Sequence, residues 1–497
     1  MTFEQALKAF ESLERQALIF QQISAVLNWD FETSISPKGT AARGEQLAWL
    51  EGASHDLLTK EENGEIFSVL KAQEGLDDGL KGRIRILNES YEKAHKVPKA
   101  LAMELAQMVN DSTGVWFEAR KNGDWASFKP YLEKLISLAT ERAKCISPDL
   151  SVYDAMLDEY EKGFTAKRIN SLFDTMVQGI NDTLAIVEGK VVRDDFLHAP
   201  YPIPDQQRFM KLVLSDMGFD FERGVIGQSA HPFTTTLGPD DVRITTRYTE
   251  PTVDAPLLST IHEGGHAIYE MRASNPKTAG TVLASGASMA VHESQSRFWE
   301  NIVARSYGFW EHYYPVFREI FPIQLKGIDL KTFVMAINRI VPNDIRCNAD
   351  EVTYGLHIIL RFKLEDQLFN SGLKVADLPE AWDELSLKLL GKKPDSISSG
   401  VLQDTHWASG LFGYFPSYAL GNLLNSQIYA RMKKEIGADE AIAQGKLIKL
   451  TDYLDKGLYQ YGATYEGYDL FRRFMGTDVD ASYFNSYLTS KFAELYK

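Results

Sequence analysis

One stretch near the middle of the 497-residue chain reads Ser259-Thr260-Ile261-His262-Glu263-Gly264-Gly265-His266-Ala267-Ile268-Tyr269-Glu270. On a helix, His262 and His266 lie one turn apart on one face, so both imidazoles can bind one metal ion, while Glu263 faces that ion without binding it. This layout is typical of zinc hydrolases. The pattern also occurs as two ordinary histidines on a half-buried helix, so the interpretation requires a third ligand elsewhere in the chain.

Two adjacent glycines interrupt this predicted helix. Gly264 and Gly265 each cost about 1 kcal/mol relative to alanine in a helix interior. Apolar residues on both sides still favour a helix, namely Leu257, Leu258, Ile261, Ala267 and Ile268. We therefore expect another segment of the chain to pack against the glycines.

Composition and charge exclude several classes of protein. The chain is 44% hydrophobic and 24% charged, as in ordinary soluble proteins, and no apolar run approaches the ~18 residues of a membrane span. The formal charge of -15 argues against nucleic-acid binding, which needs lysine and arginine against phosphate. Cys145 and Cys347 are the only cysteines, and residues 1–8 lack the basic and apolar parts of a signal peptide. We expect a soluble cytoplasmic protein without a membrane partner.

Apolar residues recur at helical spacing over most of the chain. Residues 1–230 are interpreted as helical hairpins with breaks at 37–39, 62–64 and 122–123, and residues 257–497 are helical again. Between them, 231–256 is rich in alternating β-branched residues around Gly238-Pro239-Asp240, which predicts a pair of strands. We predict a single catalytic unit over 1–497, mainly α, with one small β-sheet beside the active site.

A zinc hydrolase site needs three protein ligands and one open position. Glu270 lies eight residues beyond His262, about 12 Å along the helix axis, which is too far. The next candidates are on a second predicted helix, where Glu293 follows His266 by 27 residues. Spacing alone leaves both Glu293 and Glu300 open. His292 could also bind the metal, although a position on the helix surface, or one behind a ligand, is the favoured interpretation.

Six separated signatures occur in order along the chain. They are His231-Pro232-Phe233, Asp241-Val242-Arg243-Ile244-Thr245, His262 to His266, His292-Glu293-Ser294-Gln295, Ile345-Arg346-Cys347-Asn348-Ala349-Asp350 and Gly400-Val401-Leu402-Gln403-Asp404-Thr405-His406-Trp407. In this order, with these helical flanks, the chain resembles the Taq-type metallocarboxypeptidases, the thermostable carboxypeptidase 1 family. The resemblance covers nearly the whole chain. It implies a large helical metallopeptidase with a deep active-site groove between two halves.

The resemblance implies metal ligands His262, His266 and Glu293, and so selects Glu293 over Glu300. It also implies Glu263 as the general base, which takes a proton from the attacking water and hands it to the leaving amine. One Zn²⁺ per chain is expected, and imidazole and carboxylate ligands also accept Co²⁺ or Mn²⁺. The expected activity is release of single amino acids from peptides with free C-termini, with broad specificity, by a homodimer.

The terminal carboxylate of a peptide is best held by the planar fork of an arginine. Arg346 matches the family's arginine in this role. From sequence alone, the favoured interpretation is an arginine at a helix start that pairs with Asp344 or Asp350, and the resemblance reverses this preference.

Stabilisation of the oxyanion requires donors aimed at the developing charge. Similar zinc peptidases use a histidine and a tyrosine from a late helix, which here would be His406 and Tyr418, with Tyr414 as the next candidate. Aromatic packing with a hydrogen-bonded hydroxyl would explain the two tyrosines equally well.

His231, Asp241 and Arg243 fall on the segment with strand-like character. An edge strand there could pair with an extended peptide, so the three residues are candidates for binding substrate or limiting its length. Asp241 and Arg243 could equally form a structural ion pair.

Two alternatives to a carboxypeptidase remain. A related metallopeptidase acting as an oligoendopeptidase or peptidyl-dipeptidase would use the same metal and base, and only Arg346 separates these activities. A di-metal helical bundle would pair Glu263 and His266 with the Glu-x-x-His of Glu92 and His95. That bundle would leave His262 without a role and require two further inward glutamates.

Overall fold

The computed structural model describes residues 1–497, and 66% of the chain is helical. The α-helices are α1 (Phe3–Thr33), α2 (Thr40–Leu58), α3 (Glu61–Lys71), α4 (Asp78–Lys96), α5 (Lys99–Asn122), α6 (Trp125–Ile146), α7 (Val152–Asp158), α8 (Ala166–Val187), α9 (Ile203–Met217), α10 (Asp254–Ala273), α11 (Met289–Arg297), α12 (Tyr307–Ile320), α13 (Leu330–Ile337), α14 (Tyr354–Asn370), α15 (Leu378–Leu390), α16 (Pro416–Ile436), α17 (Ala438–Ala443), α18 (Ile448–Gly457), α19 (Gly467–Met475) and α20 (Ser482–Leu495). Short 3-10 turns span Asp195–His198, Arg346–Asn348, Val375–Asp377 and Tyr459–Tyr461. The predicted class, mainly α with a small sheet, is confirmed. No helix has both the length and the apolar character needed to span a bilayer.

The chain forms two compact units, each assembled from three separated segments. The first unit comprises Met1–His95, Val192–Ile337 and Leu424–Asp478, and the second comprises Lys96–Val191, Asn338–Leu423 and Val479–Lys497. The single catalytic unit and the groove between two halves stay predictions.

The expected helix break at residues 62–64 is wrong. Helix α3 includes all three residues, and the turn lies at residues 59–60 instead. The buried Asn63 side chain donates hydrogen bonds to the carbonyls of Leu57 and Leu58, at 2.9 Å each, and so satisfies the end of α2 from within α3. The asparagine thus caps the preceding helix and does not mark a loop.

The sheet of the first unit has three strands in the order β1, β3, β2. Strands β2 (Thr234–Gly238) and β3 (Asp241–Thr246) are the antiparallel pair expected from the sequence. Strand β1 (Gly224–Gln228) was not predicted and pairs in parallel with β3. Because β3 is paired on both sides, Asp241 and Arg243 lie on the central strand. The peptide-pairing edge expected there is therefore not on β3.

Helix α10 carries the double-histidine motif and packs between the sheet and α11. Thr246 of β3 and Thr260 of α10 join their buried hydroxyls at 2.7 Å. A Cβ on Gly265 would lie 2.9 Å from backbone atoms of Gln295 and Ser296 in α11, while one on Gly264 would meet the side chain of Leu214. The expectation that other segments pack on the two glycines is confirmed, and the close crossing at Gly265 brings α11 against the histidine helix.

Candidate metal centre

Three side chains of α10 and α11 direct ligand atoms toward one point. The Oε2 atom of Glu293 lies 3.8 Å from Nε2 of His262 and 3.6 Å from Nε2 of His266. All three ligand atoms lie within 4.8 Å of one another, and no other such group occurs in the chain. A tetrahedral ion with bonds of about 2.0–2.1 Å needs ligand atoms roughly 3.4 Å apart. The residues therefore fit one divalent ion.

The remaining atoms of two of these ligands are held by their neighbours. Nδ1 of His262 lies 2.9 Å from Oε2 of Glu300, a partner that leaves Nε2 of the imidazole to the metal. Arg297 donates from Nε to Oε1 of Glu293 at 2.7 Å. Burial opposes ionisation of Glu293, but Arg297 and the two imidazoles hold its pKa well below the ordinary value. Glu293 is therefore anionic, as a carboxylate that binds a cation must be.

Glu300 lies on a π-helical turn, Phe298–Val303, that continues α11. Both Glu293 and Glu300 contact His262, but on opposite ring nitrogens. Arg297 reaches both carboxylates, with its NH1 group 3.4 Å from Glu300. Spacing alone left both Glu293 and Glu300 as candidate ligands. Glu293 faces Nε2 of His262, where the three ligand atoms converge, whereas Glu300 faces Nδ1 on the other side of the ring.

His266 is supported by a second histidine. Its Nδ1 lies 2.7 Å from Nδ1 of His292, and Nε2 of His292 lies 2.6 Å from Oε1 of Glu270. Burial lowers the pKa of His266 to about 4, so the imidazole is neutral as a metal ligand must be. Both nitrogens of His292 have partners, which argues against His292 as a ligand.

Glu263 is buried beside the ligands. Thr234 of β2 donates from Oγ1 to Oε2 of Glu263 at 2.6 Å, which leaves Oε1 for a proton. Burial raises the pKa of the Glu263 carboxyl. The strand thus orients a glutamate that can both accept and return a proton.

The strand-segment candidates lie elsewhere in the first unit. His231 is exposed in the loop before β2. Arg243 and Asp241 form a two-bond ion pair with N–O distances of 2.7 Å, and the guanidinium lies 5.4 Å from the ring centre of Trp29. The structural pairing foreseen for these two residues is present.

Arg346 belongs to a buried charge cluster in the second unit. Asp404 accepts from Arg346 Nε and from Arg361 Nε, at 3.0 and 2.6 Å, and Tyr354 lies 3.2 Å from NH1 of Arg346. The expected pairing with Asp344 or Asp350 is wrong. These two acids are held by other groups, with Lys392 bound to Asp344 and the start of α14 to Asp350. Two guanidiniums share one carboxylate, so the cluster carries an excess positive charge.

The oxyanion candidates also lie in the second unit. Nε2 of His406 is 3.3 Å from the hydroxyl of Tyr418, and the ring of Tyr414 lies 5.6 Å from that of His406. Burial, with Arg346 nearby, lowers the pKa of His406 to about 4. A neutral His406 with a tyrosine hydroxyl at its nitrogen has the chemistry of a hydrogen-bond donor pair.

The second Glu-x-x-His pair contributes no metal ligand. His95 bonds through Nδ1 to the carbonyl of Tyr91 at 2.9 Å, and Glu92 accepts from Lys71 and Asn88. Neither residue belongs to the ligand group. A di-metal bundle is therefore not assembled.

Sequence reasoning missed the supporting residues of both clusters. Thr234 and Asp404 have partners that are distant in the sequence, so no local pattern indicates these contacts. Arg297 follows Glu293 by four residues, a helical ion-pair spacing that could have been recognised. The signature beginning at His292 did contain the histidine behind His266, and the position of Glu270 on the motif helix could have suggested its partner.

Two histidines four residues apart on a buried helix, with a carboxylate from the next helix and a glutamate beside them, define a metallohydrolase site. Comparison with known proteins gives its family. The model of the carboxypeptidase Taq (M32) metallopeptidase family matches residues 9–492, and the chain belongs to this family. It is therefore a peptidase of the metal-dependent carboxypeptidase class.

Individual relatives agree over the full length. Thermostable carboxypeptidase 1 of Thermus thermophilus is 39% identical over 512 residues, covering 100% of both chains. The enzyme of the same name from Pyrococcus furiosus is 36% identical and covers 94% of both. The crystal structure of the M32 carboxypeptidase from Deinococcus radiodurans R1 superposes with a TM-score of 0.96 at 33% identity, covering 99% of each chain.

Proposed function

We propose that this chain is a zinc-dependent carboxypeptidase that removes single amino acids from peptides with free C-termini, with broad specificity. The observation that carries the proposal is the convergence of two Nε2 atoms and one Oε2 atom, with their other ring or carboxylate atoms occupied by protein partners. We propose His262, His266 and Glu293 as the ligands of one Zn²⁺, with Co²⁺ or Mn²⁺ as substitutes.

Glu263 is the proposed general base and acid. When bound, the metal ion supplies Lewis-acid activation of water and of the scissile carbonyl. Glu263 takes the water proton on Oε1, because Thr234 occupies Oε2, and then delivers the proton to the leaving amine. The raised pKa of this buried carboxyl favours its acceptance of the water proton.

Arg346 is the proposed anchor for the terminal carboxylate. A guanidinium has five N–H donors, and Asp404 and Tyr354 engage only some of those on Arg346. The cluster's excess positive charge favours an incoming carboxylate, which would form charge-assisted hydrogen bonds. His406 and Tyr418 are proposed to donate to the developing oxyanion. Tyr414 is proposed as a substrate-binding residue and is the next candidate for the role of Tyr418.

His231, Asp241 and Arg243 are proposed to contact the substrate or limit its length, with the ion pair fixing the direction of Arg243. We further propose a homodimer acting in the cytoplasm. The two free cysteines suit a reducing compartment, and light scattering is expected to give twice the mass of one chain.

A pair of peptides tests the proposed specificity. One peptide has a free C-terminus and its twin is amidated, and mass spectrometry follows their products. We expect a ladder of single-residue losses from the free peptide only, because the anchor requires a carboxylate. Internal fragments, loss of dipeptides or equal cleavage of both peptides would instead support an oligoendopeptidase or peptidyl-dipeptidase.

A further inference from the structure

His292 joins a metal-ligand candidate to a buried carboxylate. Its two ring nitrogens have different partners, with Nδ1 at 2.7 Å from His266 Nδ1 and Nε2 at 2.6 Å from Glu270 Oε1. The rings of His266 and His292 lie 4.8 Å apart. The three side chains therefore form a continuous hydrogen-bonded chain that ends at the Nε2 atom of His266.

The positions of the hydrogens in this chain follow from the partners. A carboxylate only accepts, so Nε2 of His292 donates to Glu270. In a neutral His292 the other nitrogen, Nδ1, is then bare and must accept. Nδ1 of His266 therefore carries its hydrogen and donates, and Nε2 of His266 has a free lone pair. A reversed direction would place a hydrogen on Nε2 of His266 and block metal binding.

Glu270 is fixed in the accepting state by its surroundings. Oε1 also accepts from the Gly286 amide at 2.8 Å and the Ser285 hydroxyl at 3.2 Å, and Oε2 accepts from Thr236 Oγ1 at 2.9 Å. Although burial opposes ionisation, these donors and His292 hold the pKa of Glu270 below its ordinary value. The carboxylate is thus saturated with donors, as an ionised group at 6% exposure requires.

The sheet anchors this chain as well as the general base. Thr234 and Thr236 are two residues apart on β2, so their side chains point to the same face. Thr234 binds Glu263 and Thr236 binds Glu270, and both glutamates lie on α10. One strand therefore sets the side-chain direction of both glutamates.

We propose that Glu270 and His292 are positioning residues that hold His266 as its Nδ1–H tautomer before the metal arrives, with Thr236 fixing Glu270. This inference rests on the proposed metal site and deepens it. We call Glu270, His292 and His266 the relay. Because the relay holds His266 in the tautomer that binds metal, no free energy is spent on changing the tautomer when the ion binds, and zinc affinity rises.

Zinc affinity of metal-free protein tests the relay, measured by competition with a chromophoric chelator. His292→Leu removes both contacts, whereas His292→Asn keeps an acceptor oxygen close to the position of Nδ1. We expect roughly 10–100-fold weaker zinc binding for H292L, the usual cost of losing such a partner, and substantial recovery in H292N. Thr236→Val should weaken binding, and Thr235→Val is its matched control on the other face of β2.

The tautomer is read directly from two-bond nitrogen–proton NMR spectra of ¹⁵N-histidine-labelled, zinc-free protein, with circular dichroism to verify folding. We expect the His266 proton on Nδ1 in the wild type, and a mixture of tautomers in E270Q. A wild-type proton on Nε2, or zinc affinities of folded H292L and H292N that both equal wild type, would overturn the relay alone. Wild-type protein that takes up no zinc would overturn the metal centre itself and the relay with it.

Discussion

Replacing Gly265 by alanine tests whether the close contact between α10 and α11 requires a glycine. The substitution has two opposing effects on stability, a gain in helix propensity and a steric clash with α11. The added Cβ would lie 2.9 Å from the Gln295 carbonyl oxygen, the Ser296 Cα and a ring atom of Trp299. The first two are backbone atoms, which no side-chain rotation can move. At Gly264 the nearest atom is the end of the Leu214 side chain, so Gly264→Ala is a matched control one residue away.

The expected magnitudes follow from these distances. Alanine gains about 1 kcal/mol of helix propensity at either site. At Gly265, overpacking against backbone costs about 1–3 kcal/mol, so the net free energy of unfolding falls by about 0–2 kcal/mol. Ordinary contact begins at 3.4 Å, so α11 must move by roughly 0.5 Å near Glu293. A metal site tolerates about 0.2 Å, and we expect zinc affinity to fall by about tenfold or more.

Urea unfolding of the metal-free proteins and chelator competition for zinc measure both quantities. Gly264→Ala should change stability by no more than about 1 kcal/mol and bind zinc like wild type. If G265A is as stable as G264A and binds zinc equally tightly, the crossing does not set the position of Glu293 and the reasoning is wrong.

Three further changes give sharp expectations. Glu263→Gln should lower kcat by about 10²–10⁴-fold while metal analysis shows unchanged zinc content, because only the proton carrier is lost. Arg346→Lys should raise KM for free-ended peptides by about 10–100-fold, since a lysine cannot reproduce the fork, and the amidated twin should stay uncleaved. Burial raises the pKa of Glu365 to about 7, so the folded protein favours the protonated carboxyl. The contribution of Glu365 to the free energy of unfolding is fully present below about pH 4.5 and decreases by about 3 kcal/mol up to pH 7. Glu365→Gln should remove that decline in urea unfolding measured across the pH range.

Local sequence patterns predicted the class of fold, because helices and strands are determined largely by residues that are close in the sequence. Helical spacing and the β-branched run around Gly238 identified most elements and the β2–β3 pair. Strand β1 has two glycines among its five residues and gives no alternating signal. The turn at residues 59–60 was misplaced, because the Asn63 signal belongs to a buried side chain that caps the preceding helix.

In the candidate site, too, the features set by nearby residues were predicted, whereas contacts between distant residues were not. The spacing of His262 and His266 on one helix is a local property that the sequence displays. Glu293 and Glu300 face opposite ring nitrogens of His262, a difference in side-chain direction that spacing does not reveal. The preference for Glu293 came from the family resemblance. The partner of Arg346 is 58 residues away in the chain, and no pattern predicts such a contact.

The most direct test of the metal centre is stoichiometric zinc restoration. Chelator-treated, zinc-free protein is titrated with zinc while hydrolysis of a free-ended peptide is followed, with Glu293→Gln as the ligand variant. We predict no hydrolysis without metal, full recovery at one zinc per chain, and neither tight zinc binding nor recovery in E293Q. Full hydrolysis in the presence of chelator, or wild-type recovery in E293Q, would contradict a catalytic metal held by His262, His266 and Glu293.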